Sequence, residues 1–275
     1  MPTELKLPFG MKDGKLVQIS EVERGLKCGC QCPACNHPLV ARKGNKTVHH
    51  FAHYQNANCE HALETSFHLA AKKVIEETGY FVLPEVVNDI FYSRQNIFAP
   101  TSKLYFDNIY LEKRYDDFVP DIILEKDNKQ LCIEIYVTHK IDESKKEKIV
   151  KSNISTIEVD LSKIERGLDF NHLREKVVDS IANKNWIYNK KREKVRKQIL
   201  SNSIKRKIIS RKLMQHVDDC PLPARIWQGK AYANFFDDCL GCEFFTGGDD
   251  SGEKDIMYCI GHKKEEEIQK LLRQF

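Results

Sequence analysis

The sequence lacks any long apolar run. No segment approaches the roughly 18 to 20 consecutive apolar residues that a membrane-spanning helix needs. The N-terminal stretch MPTELKLPFGMKDGK also has no apolar core of the kind that signal peptides carry. We therefore expect a soluble, cytoplasmic protein without a membrane partner. Internal repeats and low-complexity tails are missing as well, and 275 residues correspond to one large globular domain or two modest ones.

The charge is small in sum but unevenly distributed. The chain has 44 basic and 40 acidic residues, a net charge of +4. Residues 184–212 contain twelve Lys or Arg and one acid, so they carry +11 and the other 246 residues sum to −7. We interpret 184–212 as a long helix, or two helices joined near 201–203, whose cationic ridge contacts DNA phosphates; the alternative is a solvated surface. The candidate DNA-binding residues are Lys190, Lys191, Arg192, Lys194, Arg196, Lys197, Lys205, Arg206 and Lys207.

Ten cysteines in an unexported chain need an explanation other than disulfides, because the cytosol keeps thiols reduced. Nine of them fall within 28–59 and 220–259, and six of the ten histidines lie in or just beyond the first region. Cysteine and histidine clustered together in a reduced compartment indicate metal binding.

The first cluster predicts a zinc site. Cys32 and Cys35 form a C-x2-C pair, and His50 and His53 form an H-x2-H pair after 14 intervening residues. Two thiolates and two imidazoles suit tetrahedral zinc, and four protein ligands leave no position for a substrate, so we expect a structural site. Unmetallated thiols or another ligand set are the alternatives. The reserve ligands are Cys28, Cys30, His49, Cys59 and His61.

The second cluster predicts another metal site. It offers four thiolates, with His262 as a fifth candidate ligand. Zinc fits this set, although an iron–sulfur cluster or no metal are alternatives. The aromatic residues around it are expected to form the core of a small module, and stacking on nucleic-acid bases is the other interpretation. The four candidate ligands are Cys220, Cys239, Cys242 and Cys259.

Between the clusters, the pattern predicts an α/β core of about 100 residues. Leu63, Phe67, Ala70 and Val74 recur at the helical period, and Gly79 ends that helix. Strands are predicted at 80–87, 105–112, 118–124, 131–138 and 154–159, and a helix capped by Asp142 is predicted to run to about 151.

Two acids lie at the strands of this core. Asp121 opens one strand, and Glu134 lies inside the apolar strand LCIEIYV, where alternation places it opposite the aliphatic face. A buried carboxylate needs a partner, and a divalent cation shared with Asp121 would provide one; a salt bridge or a surface position is the alternative. On the helix, Glu64, His68 and Lys72 recur every four residues and line one side, either as a solvated face or as part of a phosphodiester site.

These residues carry a resemblance. The motifs CPAC, HHFAH, ETSFHLAAKK, VPDIIL, IEIYVTHKIDESKKEKI and ISTIEVDLS resemble, in order, those of the competence-protein CoiA-like family, a branch of the PD-(D/E)xK nucleases, over residues 28–162. The resemblance implies an αβββαβ restriction-endonuclease-like core with a zinc module attached. It also implies that Asp121 and Glu134 bind the metal, that Glu64 is the helix-borne acid, and that Lys72 or His68 is auxiliary.

One position departs from the superfamily pattern. The lysine expected two residues after the second acid is replaced by Tyr136, which is neutral at pH 7. Either another residue supplies the charge or the activity is lost. Lys72 is the best substitute, and His139 and Lys140 are weaker ones. With that charge supplied, we expect Mg²⁺ on Asp121 and Glu134 to support phosphodiester hydrolysis.

The sequence therefore predicts a magnesium-dependent DNA endonuclease or nickase with two structural Zn²⁺ ions. The alternatives are a catalytically inactive nuclease fold that binds DNA and a zinc-stabilised scaffold for protein interaction. Competence, phage defence and mobile-element maintenance remain open, as do a partner protein and a homo-oligomer. The predicted domains are an N-terminal zinc module (1–60), the nuclease core (61–165), a helical basic arm (166–215) and a four-cysteine module (216–275).

Overall fold

The structure is a computed structural model that describes residues 6–87, 91, 97–164, 168–212, 214–222, 224–248 and 255–273. The chain forms two compact units. Unit 1 comprises Met1–Pro84 and Thr101–Tyr188, and unit 2 comprises Glu85–Pro100 and Asn189–Phe275. Within the described ranges, the helices are all too short or too polar to span a bilayer. The domain boundaries at 60, 165 and 215 stay predictions, and residue 165 lies outside the described part.

Short strands make up much of both units. In chain order the strands are β1 (Phe9–Lys12), β2 (Lys15–Gln18), β3 (Leu39–Arg42), β4 (His50–His53), β5 (Tyr80–Leu83), β6 (Val86–Val87), β7 (Ile97–Ala99), β8 (Ser102–Tyr105), β9 (Asn108–Leu111), β10 (Ile122–Lys126), β11 (Lys129–Tyr136), β12 (Thr156–Asp160), β13 (Lys184–Tyr188), β14 (Ile204–Lys207), β15 (Ile209–Arg211), β16 (Met214–Asp218), β17 (Arg225–Trp227), β18 (Lys230–Asn234), β19 (Phe245–Gly248) and β20 (Ile256–Cys259).

The helices lie between and after these strands. They are α1 (Ala62–Thr78), α2 (Glu143–Lys151), α3 (Phe170–Arg174), α4 (Lys190–Ser201) and α5 (Glu265–Arg273). Local sequence explains their ends. Gly79 ends α1 with a positive φ of 73°, and its N–H bonds to the carbonyl of Ile75. Asp142 begins α2 by accepting a hydrogen bond from the backbone N–H of Lys145 at 2.7 Å.

Unit 1 is built around a five-stranded sheet in the order β13-β12-β11-β10-β9, in which β11 and β12 are parallel and the other neighbours antiparallel. Each face of this sheet packs against a helix. Ile133 on one face belongs to the same buried cluster as Phe67 of α1, whereas Cys132 on the opposite face belongs to a cluster with Ile149 of α2. The mixed α/β architecture expected from the pattern is confirmed.

Tight turns join two of the antiparallel strand pairs. Asp13 and Gly14, both with positive φ, form the turn of the β1–β2 hairpin, and β10 and β11 join at a tight turn where Asp127 and Asn128 both have positive φ. In unit 2, α5 follows the last strand.

The helical interpretation of residues 184–212 is wrong over most of its length. The structure contains strand β13, helix α4 and then strands β14 and β15. Asn189 caps α4 by accepting from the N–H of Arg192 at 2.9 Å, so the helix begins only there. After Ser203, the β-branched residues at 204, 208 and 209 favour extended backbone, and their spacing imitates a helical period. Before β13, the chain forms only the short helix α3 and a π-helical turn at Glu175–Asp179.

Unit 2 contains two small sheets, β14-β20-β19 and β15-β16-β18-β17, and the pair β6-β7. It has two buried clusters. In one, Phe91 packs with Val195 and Ile199 of α4 and with Ile260 and Ile268. The other is rich in sulfur, because the thiols of the second cysteine cluster pack among apolar residues of the strands.

Candidate functional site

The structure brings four cysteine and histidine side chains together in the N-terminal part of unit 1. Their ligand atoms all lie within 4.8 Å of one another, and the residues are Cys32, Cys35, His53 and Cys59. Cys32 is buried and receives the backbone N–H of Ala34 at 3.4 Å, while the Sγ of Cys35 lies 3.5 Å from Nε2 of His53. Three sulfurs and one imidazole form a donor set that suits tetrahedral zinc. This cluster can therefore bind zinc.

Cys59 takes the place that the sequence analysis gave to His50. His50 and His53 both lie on β4, and side chains three residues apart on a strand point to opposite faces. The Nδ1 atom of His50 lies 2.8 Å from the carbonyl oxygen of Val48, and its buried Nε2 has no hydrogen-bond partner among the described residues. The spacing H-x2-H was thus interpreted as a ligand pair, although only a helix or a turn would bring both rings to one site.

Burial affects the thiols of this cluster. It raises the pKa of Cys32 to about 12 and also raises the pKa of Cys59. At the exposed Cys35, burial acts in the same direction, but the N–H of His37 and the neighbouring thiols lower the pKa overall. A buried thiol in this setting keeps its proton until a cation compensates the thiolate charge, so metal binding here is coupled to proton release.

Asp121 and Glu134 lie side by side at one end of the sheet. Ile122 pairs with Ile133, so the next antiparallel positions are Asp121 and Glu134. The Oδ2 atom of Asp121 accepts the N–H of Ile135 at 2.8 Å. Burial tends to raise the pKa of Asp121, but His68, this N–H and Lys72 together hold it below its usual value. Asp121 is therefore a carboxylate at neutral pH.

Helix α1 places two of its three predicted residues on Asp121. The Nδ1 atom of His68 lies 3.2 Å from Oδ1 of Asp121, and the Nζ atom of Lys72 lies 3.7 Å from the same oxygen. Lys72 is buried and also donates to Oε1 of Glu112 at 2.5 Å. The four-residue spacing was thus a correct signal for a shared face, and that face is turned towards the sheet end.

Glu64 has different neighbours. Its Oε2 atom accepts from Oγ1 of Thr138 at 2.7 Å and lies 3.0 Å from Nδ1 of His139. Burial would raise the pKa of Glu64, but these bonds and the charge of His68 lower it overall. Glu64 therefore interacts with the segment that follows β11 and is coupled to the Asp121 network through the charge of His68.

Glu134 is a buried carboxylate that is only partly satisfied. The residue is 3% exposed, its Oε2 atom accepts from Nζ of Lys145 at 2.7 Å, and its Oε1 atom has no hydrogen-bond partner among the described residues. Burial, reinforced by the charge of Asp121 and opposed by Lys145, raises the pKa of Glu134 to about 7. A buried carboxylate with one unsatisfied oxygen is a group that gains stability from a cation or a proton.

Two residues of this region escaped the sequence analysis. Lys145, in the first turn of α2, supplies the ammonium group beside Glu134. Glu158 pairs directly with Glu134 across the parallel strands β11 and β12; it is also 3% exposed and also has an oxygen, Oε2, without a described partner. The available signals were the cap at Asp142, which fixes where α2 begins, and a glutamate inside the apolar strand IEV, the same signature as Glu134.

The carboxylates do not form a compact ligand group. In the part of the chain that the structure describes, the set with Cys32 is the only one in which three or more candidate metal-binding atoms all lie within 4.8 Å of one another. Glu64, Asp121 and Glu134 therefore do not converge on one point as a set of three.

The second cysteine cluster meets around one small cavity in unit 2. The four predicted thiols line this cavity of about 50 Å³, namely Cys220, Cys239, Cys242 and Cys259. Burial, together with the charges of the other three thiols, raises the pKa of Cys239 to about 12. The four sulfurs are not all within 4.8 Å of one another, so they share a cavity without forming a closed ligand group.

The basic residues occupy two separate elements. On α4, exposed lysines recur at 190, 194 and 197, which is one helical face, while Val195 and Ile199 are buried. On β14, Lys205 and Lys207 are exposed at alternate positions and Arg206 donates to the carbonyls of Asp218 and Asp219. Lys191, Arg192 and Arg196 are half-buried. The cationic residues thus form a helical face and a strand edge, not one continuous ridge.

Comparison with known proteins identifies one family. Residues 17–62 match the model of the N-terminal domain of competence protein CoiA. The matched segment contains all four residues of the zinc-competent cluster and ends at the first residue of α1. It confirms the CoiA-like resemblance over this part of the chain. No curated protein and no solved structure matches the chain.

Proposed function

We propose that the chain is a metal-dependent DNA endonuclease or nickase, with its active site at the end of the sheet where Asp121 and Glu134 lie. The observation that carries the proposal is the state of Glu134, which is buried beside a second carboxylate and has one oxygen without a partner among the described residues. Purely structural positions rarely keep such a group, because a buried, incompletely paired carboxylate destabilises the fold.

The residues fit a hard divalent cation. Mg²⁺ prefers carboxylate oxygens and binds through one or two of them with water completing its shell, so the absence of a compact three-carboxylate group is compatible with it. Asp121 and Glu134 would hold the ion, and the unsatisfied Oε1 of Glu134 is a free ligand atom for it. When bound, Mg²⁺ would lower the pKa of a water ligand and polarise the scissile phosphate.

The remaining side chains act on substrate and protons. Lys145 provides the positive charge that Tyr136 lacks, and we assign to it the stabilisation of charge on the phosphoryl oxygens. Lys72 and His68 hold Asp121 ionised and fixed in position. Glu64 contacts Thr138 and His139 and so orients the segment between β11 and α2. This segment in turn positions α2, which contains Lys145.

The cationic elements of unit 2 supply affinity for DNA. Exposed lysines on α4 and β14 suit phosphate contacts, and binding through them should weaken steeply as salt rises. Zinc has a structural part in this proposal. One ion would be held by Cys32, Cys35, His53 and Cys59, and a second by the four thiols around the cavity in unit 2.

A cleavage assay tests the proposal. Single-stranded, duplex and branched DNA are incubated with the full chain and Mg²⁺, and with Asp121→Asn and Glu134→Gln. Both variants should lose cleavage by about 100-fold or more while keeping DNA affinity. The matched control is Asp117→Asn, an exposed acid outside the site, which should cleave like wild type. Wild-type rates from Asp121→Asn would refute the assignment.

One observation favours a second candidate function. Lys145 already neutralises Glu134, and Tyr136 stands at the lysine position, so the fold could serve DNA binding without catalysis. Binding of DNA by wild type without any cleavage restored by Mg²⁺ would support this alternative.

A further inference from the structure

The sheet β15-β16-β18-β17 of unit 2 has one covered face and one open face. Val217 and Ala233 point to the covered side, where both are 2% exposed and pack in the sulfur-rich cluster. Alternation therefore directs His216 and Tyr232, the neighbours of these two residues along the strands, to the other side. That side forms a groove of about 510 Å³.

The strand pairing places the groove residues next to one another. Arg211 pairs with Met214, and Trp227 pairs with Lys230, so each apolar side chain has a cation across the strand pair. Together with His216 and Tyr232, these four residues line the groove. It thus combines two aromatic rings and a flexible apolar side chain with two cationic groups.

The aromatic residues of the groove are positioned for contact with a planar group. Trp227 is 60% exposed. An exposed tryptophan leaves a large apolar area in water, and such an area is typical of a binding surface. His216 is buried and meets the ring of Tyr232 edge-on at 6.3 Å and 88°, which holds that ring in place. Met214, at 48% exposure, adds an adaptable apolar contact.

The charge of the groove suits a phosphate-bearing ligand. Arg211 and Lys230 lie in the groove itself, and Lys207 and Lys212 lie close to Arg211 along the chain. On the acidic side, Asp218 is within 3.4 Å of Nε2 of His216 and 3.7 Å of Nη2 of Arg211, and Asp219 also lines the groove. The lining itself is balanced, with two cations and two acids, and the exposed Lys207 and Lys212 add positive charge beside it.

We propose that this groove binds the unpaired bases of a single-stranded nucleic-acid segment. One base stacks on Trp227 and a neighbouring base on Tyr232, while Arg211 and Lys230 contact the phosphates between them. In a duplex the base faces are already stacked on one another, so the rings gain little from it. The inference rests on the proposed function, which supplies DNA as the ligand, and it narrows the substrate to DNA with an unpaired region.

The test uses the full chain with Glu134→Gln, so that cleavage does not interfere. Its tryptophan fluorescence is titrated with a dT20 oligonucleotide and with a blunt duplex of equal length, and affinities are measured by anisotropy. We expect dT20 to quench the fluorescence. Trp227→Ala should abolish most of this quenching and weaken dT20 binding about 10-fold, and Tyr232→Ala should weaken it similarly, whereas Trp227→Phe should retain most of the affinity. Duplex affinity should change less than about twofold.

The matched control is Phe236→Ala. Phe236 is 59% exposed in the same unit but does not line the groove, so its removal should leave dT20 binding unchanged. Unaltered dT20 affinity in folded Trp227→Ala, or an equal loss for dT20 and duplex, would overturn the proposal. If wild type binds dT20 but does not cleave DNA in the presence of Mg²⁺, the nuclease assignment alone would be refuted. Zinc content and thermal unfolding of each variant establish that it is folded.

Discussion

The Nζ atom of Lys145 lies 2.7 Å from Oε2 of Glu134. The two residues are eleven positions apart in sequence, on different elements, and Asp142 fixes the contact because it determines where α2 begins. Lys145 thus brings an ammonium group from the next helix to Glu134, whereas the resemblance implies a lysine two residues after Glu134. The position two residues after Glu134 is occupied by Tyr136, which is half-buried.

Replacing Lys145 tests whether its charge takes the role of the lysine that Tyr136 replaces. Lys145→Ala should lower DNA cleavage about 100-fold, because the proposal assigns to this ammonium group the stabilisation of charge on the phosphoryl oxygens. Lys145→Arg should recover part of the rate. The control is Lys146→Ala, whose ammonium pairs with Glu143 at the helix surface and should not affect cleavage. Equal rates for Lys145→Ala and wild type would show that Lys72 or another cation has this role.

The ligand set of the first zinc site can be tested by replacing Cys59 and His50 in turn. Cys59→Ser should lower the zinc bound per chain by about one, because a hydroxyl is a poor substitute for a thiolate at a zinc centre. His50→Ala should keep the zinc, since the structure places His50 on the opposite face of β4. Zinc is measured by mass spectrometry of the purified protein. Loss of zinc in His50→Ala with retention in Cys59→Ser would restore the ligand set predicted from sequence.

The proposed second metal site leads to a zinc stoichiometry that can be measured. Wild type should contain about two zinc ions per chain, and Cys242→Ser about one. Cys132→Ser is the matched control, because Cys132 is buried in the apolar cluster of unit 1 and should not bind metal. Two zinc ions in Cys242→Ser would contradict the proposal, and a stoichiometric iron signal would identify the site as an iron–sulfur cluster.

Lys184 predicts a pH dependence of stability. It is 5% exposed, donates to the carbonyls of Val82 and Val178 at 2.7 Å each, and lies over the ring of Phe81. Burial lowers its pKa from 10.5 to about 7. Between these values the unfolded chain binds the proton and the folded chain does not, so stability should rise with pH from 7 to 10.5 and fall as pH drops towards 7.

Urea unfolding of wild type and Lys184→Met measures this contribution. The difference in unfolding free energy should move in favour of wild type by about 1 kcal/mol per pH unit between pH 7.5 and 9.5. Lys176→Met, at an exposed position of the same unit, is the control and should show no such slope. A flat or opposite slope for the Lys184 difference would mean that the amine remains charged in the folded protein.

Local signals in the sequence sufficed for the elements that frame the site. The apolar period and Gly79 define α1, Asp142 defines α2, and alternation identifies β11, because each of these depends on neighbours a few residues away. Pairing across the fold did not follow from them. The parallel register of β11 and β12 sets Glu158 beside Glu134, although the two residues are 24 positions apart in sequence. The choice of Cys59 over His50 depends on which face of β4 is turned towards the other cysteines of the cluster.

The path of the chain between the two units has a consequence for synthesis. Unit 1 is interrupted between Pro84 and Thr101, and the inserted strands β6 and β7 belong to unit 2. Phe91 is buried against Val195 and Ile260, which follow it by 104 and 169 positions. On a translating ribosome, all residues of unit 1 are therefore made once Tyr188 is reached. The inserted segment can become buried only after the later residues of unit 2 have been made. A fragment ending there needs a short linker in place of residues 85–100.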